Sequence, residues 1–392
     1  MNDPVRVGIA GARFAAEFHW KGYQRVYGAR VEVTGVTSLS PESRQAFAAR
    51  HGITAFDSFD ALCDACDVID ICAPGSAHEK LAVEALRRGK HVIIEKPFTG
   101  YYGPRAENFR GNQFPKEVML REALASCDRI IEAGRAAGRT IAYAEDWVYA
   151  PAIQKEREIL VKSGGQILRM IGDESHSGSH SPYYGMWKFS GGGSLVGKAC
   201  HPLSAAISLK HSEGEARSGK PVSPASVSAR THEITRLKTF RDEGFLRTGY
   251  DDVEDYGQLH VTFDDGTVAD IFASELVLGG VNNWLEVFAN NHRTRCNLNP
   301  IDALETYNPK EEIFKDVYVV EKTGTKQGWS HPAPDEDWQH GYPQEFQDFI
   351  ECFRDGRQPL AGASLARDTM AVLYSAYLSA ERRGAEVHIP AA

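Results

Sequence analysis

His91-Val92-Ile93-Ile94-Glu95-Lys96-Pro97 is a strand of mostly β-branched residues that ends in a carboxylate, an ammonium and a ring-locked backbone. In an open α/β sheet the carboxyl ends of the strands border the ligand crevice, so this pattern delivers Lys96 to a binding site. Well upstream, Val5-Arg6-Val7-Gly8-Ile9-Ala10-Gly11 supplies a second strand that runs into a small-residue turn. Residues 31–37, 67–73 and 140–144 read as further strands. Between them lie helices at 41–51, with Ser40 as N-cap and Gly52 as stop, at 77–89 and at 116–138. Strands alternating with helices of this length make parallel βαβ units.

After Trp147 the composition changes. A helix at 151–163 precedes strands at 226–235, 256–263, 267–274 and 283–289, with Asp264-Asp265-Gly266-Thr267 as a hairpin signal. Helices return at 342–354, where Phe346, Phe349, Ile350 and Phe353 form one stripe, and at 365–383. The expected fold is α/β: an N-terminal Rossmann dinucleotide-binding domain over residues 1–146, then a C-terminal α+β domain over 147–392 with a large, mostly antiparallel open sheet. Residues 99–115, rich in Gly, Tyr, Phe and Asn, are longer than a usual α/β loop and read as a lid, an oligomer clasp or a tolerated surface insertion.

At 392 residues, 42% hydrophobic and 25% charged, the composition is that of an ordinary globular protein with two cores. A net charge of -9 argues against nucleic acid, which needs a basic footprint. No apolar run is long enough to span a bilayer and no secretory signal is evident, so the expectation is a cytoplasmic protein without a membrane partner. The cysteines Cys63, Cys66, Cys72, Cys127, Cys200, Cys296 and Cys352 lack disulfide-scaffold spacing. Cys63 and Cys66 form a C-x-x-C, but no second ligand pair follows, and they read as ordinary residues of a surface helix.

Gly11-Ala12-Arg13-Phe14-Ala15-Ala16 stands where a G-x-G-x-x-G fingerprint belongs. Glycine permits the tight turn and the final alanine still allows close helix packing, while Arg13 is the departure. Its backbone N–H can still face a pyrophosphate at the helix N-terminus. The second strand ends in Thr37-Ser38-Leu39-Ser40, without the acid that binds both ribose hydroxyls of NAD and without an arginine immediately following for NADP. NAD is the expected cofactor, with NADP as the alternative.

With these residues in view, the chain resembles the glucose-fructose oxidoreductase, inositol dehydrogenase and rhizopine-catabolism family, Gfo/Idh/MocA. The resemblance rests on Glu95-Lys96-Pro97, Phe18-His19, Ile71-Cys72-Ala73-Pro74 with His78, Gly89-Lys90-His91-Val92, Gly191-Gly192-Gly193-Ser194-Leu195 leading to His201, and the late helix from Tyr342. It implies Lys96 as the bridge between substrate hydroxyl and nicotinamide, and His201 as the proton acceptor. Gly11, Ala12, Arg13, Phe14, Ser38, Pro74, His78, Glu95 and Lys96 are the implied cofactor-binding set. Loss of a hydride from a secondary alcohol needs a base near neutral pKa, which histidine provides.

Many relatives carry aspartate four residues before that histidine, where this chain has Gly197, and an acid where it has Ser204. These departures put an inositol-type binding mode in doubt and leave Lys198 as another polar contact. Trp147, His176, His180 and Lys198 are the candidate substrate residues. His176, His180 and His201 also invite a metal reading, but the family chemistry needs no metal. The resemblance implies a homo-oligomeric NAD(P)-dependent oxidoreductase acting on a sugar, sugar alcohol or glycoside, with ring carbon 3 of a pyranose as one candidate position. The alternatives are a keto-sugar reductase and a non-catalytic cofactor- or sugar-sensing regulator of the same fold.

Overall fold

The computed structural model describes residues 3–104, 108–179, 181–299 and 304–391. Strands β1 (Val5–Ala10), β2 (Val31–Thr37), β3 (Thr54–Ala55), β4 (Val68–Ile71), β5 (His91–Glu95) and β6 (Ile141–Ala144) form a parallel sheet in the order β3-β2-β1-β4-β5-β6. Both faces are covered, so the strands are apolar runs rather than alternations: Val7, Ile9, Val68, Ile69, Ile71, Val92, Ile93 and Ile94 are all buried. The strand order reverses between β1 and β4, which opens the crevice at their carboxyl ends.

The second sheet comprises β7 (Ile167–Ser175), β8 (Pro224–His232), β9 (Tyr256–Phe263), β10 (Val268–Ser274), β11 (Asn282–Ala289) and β12 (Arg293–Asn297); β13 (Thr306–Asn308) and β14 (Gly328–Ser330) form a separate pair. With β15 (Val387–His388) the large sheet runs β12-β11-β7-β10-β9-β8-β15. Only β7 against β10 is parallel, so the sheet is mostly antiparallel. Alternation sorts its faces: Val227, Ala229, Leu259, Val261, Ile271, Leu285 and Val287 are buried, while Arg230 and His260 between them are exposed.

Helices Cys200–Ser218 and Ala363–Glu381 pack on this sheet, and the second of them also packs on Lys116–Ala137 of the first half. The Tyr342–Asp355 helix lies against Phe14–Tyr23 with Phe346 buried between Tyr23 and His19. The end of the chain therefore fastens the two halves together around the crevice.

One expectation needs correction. Cys63 and Cys66 are fully buried, not surface residues: the Phe59–Ala65 helix turns them towards β1, where a Cβ on Gly8 would lie 2.7 Å from the Cys66 sulfur. Burial pushes the Cys63 thiol up to about 12 and the Cys66 thiol up to about 11. Glu174 and Ser175 form the polar end of β7.

The described part of the 99–115 insertion bridges the two halves of this one chain. Tyr101, Phe109 and Phe114 form a ring cluster. The Tyr101 backbone N–H donates to the Tyr374 hydroxyl at 2.7 Å, and Trp187 Nε1 donates to the Tyr101 carbonyl at 2.9 Å. Arg110 pairs with Asp251 at 2.8 Å, while the Gly111 N–H donates to Asp252 at 2.7 Å. Trp187 is buried against Gly111, where no Cβ would fit. Residues 105–107 of the insertion lie outside the described residues.

Candidate active site

At the crevice, Gly11 has φ +128 and a Cβ there would lie 2.5 Å from the Cys72 carbonyl oxygen, so only glycine lets β1 turn this close to the end of β4. The Phe14–Tyr23 helix starts directly afterwards, with Arg13 as an N-cap that makes no side-chain capping bond. Its first-turn N–H groups thus face the crevice without an internal acceptor, which suits an anion. Arg13 and Phe14 are exposed at this end, and Ala12 is half-buried.

Ser38 donates to the Ser40 carbonyl at 2.9 Å. The structure also brings in Arg44, six residues on, whose guanidinium meets the Ser38 carbonyl at 3.4 Å and Asp57 at 2.6 Å. Pro74 caps a short turn leading to His78. His78 itself is buried, with Nε2 at 2.8 Å from the Ala73 carbonyl and Nδ1 at 3.0 Å from that of Pro97. It ties the ends of β4 and β5 together and sits behind the crevice lining. A Rossmann-bound dinucleotide fits this set: glycine cradle, uncapped helix start and braced strand ends.

Beyond β5, the Lys96 ammonium donates to the Gly197 carbonyl at 3.2 Å, reaching from the first half to the second. Burial works against its charge, but Tyr184, Cys200, Glu95 and Glu174 outweigh it and hold the ammonium well above its ordinary range. Glu95 turns towards His19 at 3.6 Å and acts on Lys96 through its field. Gly197 lies in the π-helical turn Leu195–Ala199, which leads directly into the helix carrying His201. Such turns widen the backbone and recur at functional sites.

His201 is buried, and its Nδ1 is gripped by two carboxylates, Glu145 at 2.5 Å and Asp146 at 3.1 Å. Its Nε2 faces Glu174 at 3.9 Å, and its ring stacks on Trp147 with centroids 6.0 Å apart and an interplanar angle of 23°. Burial disfavours the charged ring, yet Cys200, Glu145 and Glu174 raise its pKa well above the usual value while Lys96 pulls it back. Burial also raises Glu145 and Glu174, and His201 lowers Asp146 against the effect of burial. Glu145, Cys200 and His201 cluster closely enough to suggest a metal. However, a 2.5 Å separation between a carboxylate oxygen and a ring nitrogen is a hydrogen bond, and two donors on one zinc ion stand more than ~3 Å apart given its bond lengths.

The remaining candidate substrate residues divide. Trp147 is buried and serves as the stacking floor for His201. Lys198 is buried in an ion pair with Glu275 at 2.5 Å, and Glu275 also lies 3.7 Å from His176. The backbone N–H of Gly178 donates to His176 Nδ1 at 3.0 Å. These groups form a second polar cluster along the same turn, whereas His180 lies outside the described residues. Ser204 faces Thr369 at 2.9 Å in the core. Of the other aromatics, Tyr149 and Trp187 are core residues and Trp329 and Trp338 are on the surface.

The triple glycine has its own function: the Gly193 and Leu195 N–H groups donate to the buried carboxylate of Glu254 at 3.2 and 2.9 Å, and the Tyr377 hydroxyl donates to it at 2.7 Å. Sequence reading missed Glu145, Asp146, Glu254 and the role of Glu174. Two adjacent acids directly after the apolar run Ile141-Ala142-Tyr143-Ala144 were the available signal.

Fold and site together define a Rossmann-type dinucleotide-binding protein whose second, mixed-sheet half closes over the crevice. Residues 5–104 match the model of the GFO_IDH_MocA oxidoreductase family, NAD-binding Rossmann fold. Over this N-terminal stretch the chain matches the NAD-binding Rossmann domain of that family.

Among curated proteins, the UDP-N-acetylglucosamine 3-dehydrogenase of Acidithiobacillus ferrooxidans is 35% identical over 95 residues, 24% of this chain and 29% of that protein. The glucose-6-phosphate 3-dehydrogenase of Bacillus subtilis is 30% identical over 92 residues, 24% of this chain and 26% of that protein. The aligned segment thus spans less than a third of either relative. In overall fold the chain is similar to GenD2 from gentamicin A biosynthesis, solved in complex with NAD, with a TM-score of 0.79 and 21% identity over 100% of this chain and 98% of that one.

Proposed function

We propose that this protein is an NAD-dependent oxidoreductase that moves a hydride between nicotinamide and a secondary carbinol of a sugar, sugar alcohol or glycoside, at ring carbon 3 of a pyranose. One observation carries the proposal: Lys96, from the end of β5, bonds the carbonyl of Gly197, one turn before His201, so that groups from the two halves share one site. Both relatives described above act at position 3 by name, which supports the choice of carbon.

When bound, NAD supplies the hydride acceptor, held by Gly11, Ala12, Arg13 and Phe14 at the first turn, Ser38 at the second strand, and Pro74, Glu95 and Lys96 at the strand ends. Lys96 steadies negative charge on the substrate oxygen. His201 takes the hydroxyl proton at Nε2, and Glu145 and Asp146 fix the ring through Nδ1 and stabilise the imidazolium that results. Because those carboxylates favour a protonated ring, the same site is well set to donate a proton to a ketone, which favours keto-sugar reduction as the second reading.

The proposed division of labour runs through residue 146: cofactor binding before it, substrate binding and self-association after it. The proposal also includes a homo-oligomer that works in the cytoplasm. Among the described residues no helix is long and apolar enough to cross a membrane. The test is reduced-nicotinamide absorbance with a panel of sugars, cyclitols and glycosides for the native protein, Lys96→Ala and His201→Ala. The proposal expects turnover by the native protein and its loss in both variants. Turnover that survives both substitutions refutes the site assignment, and a bound but unreacted cofactor with every compound favours a sensing role.

A further inference from the structure

Glu174 is a carboxylate that the proposed mechanism leaves unused. On β7, Gly172 faces the start of the histidine helix, since a Cβ there would lie 2.9 Å from Pro202 Cβ, and Glu174 follows two residues on, on the same face. Its side chain is only 12% exposed and its Oε2 stands 3.9 Å from His201 Nε2, beyond direct hydrogen-bond reach. That oxygen is buried and has no hydrogen-bond partner among the described residues. Burial raises the pKa of this carboxylate, and His201, Lys96 and Lys198 act against that rise, while its acceptor remains unfilled.

A shielded carboxylate oxygen without a donor is costly unless a ligand supplies one. The reacting hydroxyl belongs between Lys96 and His201 Nε2, and the hydroxyl on an adjacent ring carbon falls within hydrogen-bond distance of it. The unfilled oxygen lies one such step beyond Nε2. Building on the dehydrogenase reading, we propose that Glu174 accepts a hydrogen bond from the hydroxyl next to the one that reacts, so that the site selects cyclic vicinal diols over their deoxy analogues.

The test pairs residue with hydroxyl. The most active compound of a panel of cyclitols and methyl pyranosides is compared with analogues deoxygenated at either carbon beside the reacting one, using native protein, Glu174→Gln and Glu174→Ala with NAD. Native protein is expected to lose about tenfold to a hundredfold in kcat/KM on one deoxy analogue, the range for a hydrogen bond to a charged group. Glu174→Ala is expected to lose a similar factor on the parent compound and to treat parent and analogue alike, with Glu174→Gln in between. Equal discrimination by native protein and Glu174→Ala overturns the inference.

If native protein turns over nothing, the dehydrogenase reading fails by itself. The comparison is then made by calorimetric binding of the same compounds to NADH-loaded protein. There, loss of the parent–deoxy difference in Glu174→Ala supports the role of Glu174, and persistence of the difference, or binding of neither compound by native protein, overturns it. Unchanged thermal unfolding of Glu174→Gln separates recognition from a folding defect.

Discussion

Replacing Glu145 by glutamine keeps an acceptor beside His201 Nδ1 and removes its charge. The pair is 2.5 Å apart and buried, the geometry of a strong charge-assisted bond. Such a bond contributes about 1.5–3 kcal/mol, and a pKa unit corresponds to about 1.4 kcal/mol, so the imidazole pKa should fall by about one to two units. Asp146, at 3.1 Å, remains in place and keeps the shift from being larger.

The sign follows from the chemistry. Alcohol oxidation needs the neutral ring, so kcat/KM rises with pH through the His201 pKa, which in the native protein lies well above its usual value. In Glu145→Gln that rising limb should move to lower pH by one to two units, and in the reductive direction the falling limb should move the same way. The assay is kcat/KM against pH from neutral to alkaline conditions, with NAD and the most active substrate. A limb that stays where it is in the native protein would refute the claim that Glu145 sets the charge of the His201 imidazole.

Gly11→Ala should raise the Kd for NAD at least about tenfold in a fluorescence titration, because a Cβ 2.5 Å from the Cys72 carbonyl displaces the turn; unchanged affinity would contradict the cradle. Trp187→Ala should cost about 3–5 kcal/mol and lower the urea midpoint, since the buried indole fastens the insertion to the second half; a shift under about 1 kcal/mol would show that the insertion is held by other contacts. Burial pushes Glu254 up to about 7, against about 4.5 unfolded, so the folded chain binds more protons in that window and stability falls as pH rises from about 4.5 to about 7. The loss is about 3 kcal/mol, and Glu254→Gln should flatten this part of the stability profile; an identical slope in the variant would exclude Glu254 as its source.

What the sequence disclosed follows from local physics. The 41–51 helix has both its limits written in its flanking residues: Ser40 accepts from the Ser43 N–H at its start and Gly52 takes φ +66 at its end. The Pro151–Ser163 helix likewise begins on proline and ends at Gly164 in the left-handed region. Tyr256–Phe263 was readable because every second residue is buried. By contrast β7 places Arg169, Asp173 and Glu174 in a central strand, so its polar end resembles a loop. The Cys200–Ser218 helix is buried along most of its length and shows no one-sided periodicity, with Pro202, Ser204 and Ser208 diluting its signal. At the site, Lys96 and His201 were legible through their motifs. Glu145, Asp146 and Glu174 acquire their roles only when β6, β7 and the histidine helix meet in space.

The central claim is that Lys96 and His201, from different halves of the chain, act on one substrate oxygen beside the nicotinamide. A crystal structure of the protein with NADH and its best-bound carbohydrate tests it most directly. The account predicts one ring oxygen within hydrogen-bond distance of both Lys96 Nζ and His201 Nε2, its carbon facing the nicotinamide. A carbohydrate that presents its nearest oxygen to only one of the two, or lies away from the nicotinamide altogether, would contradict it.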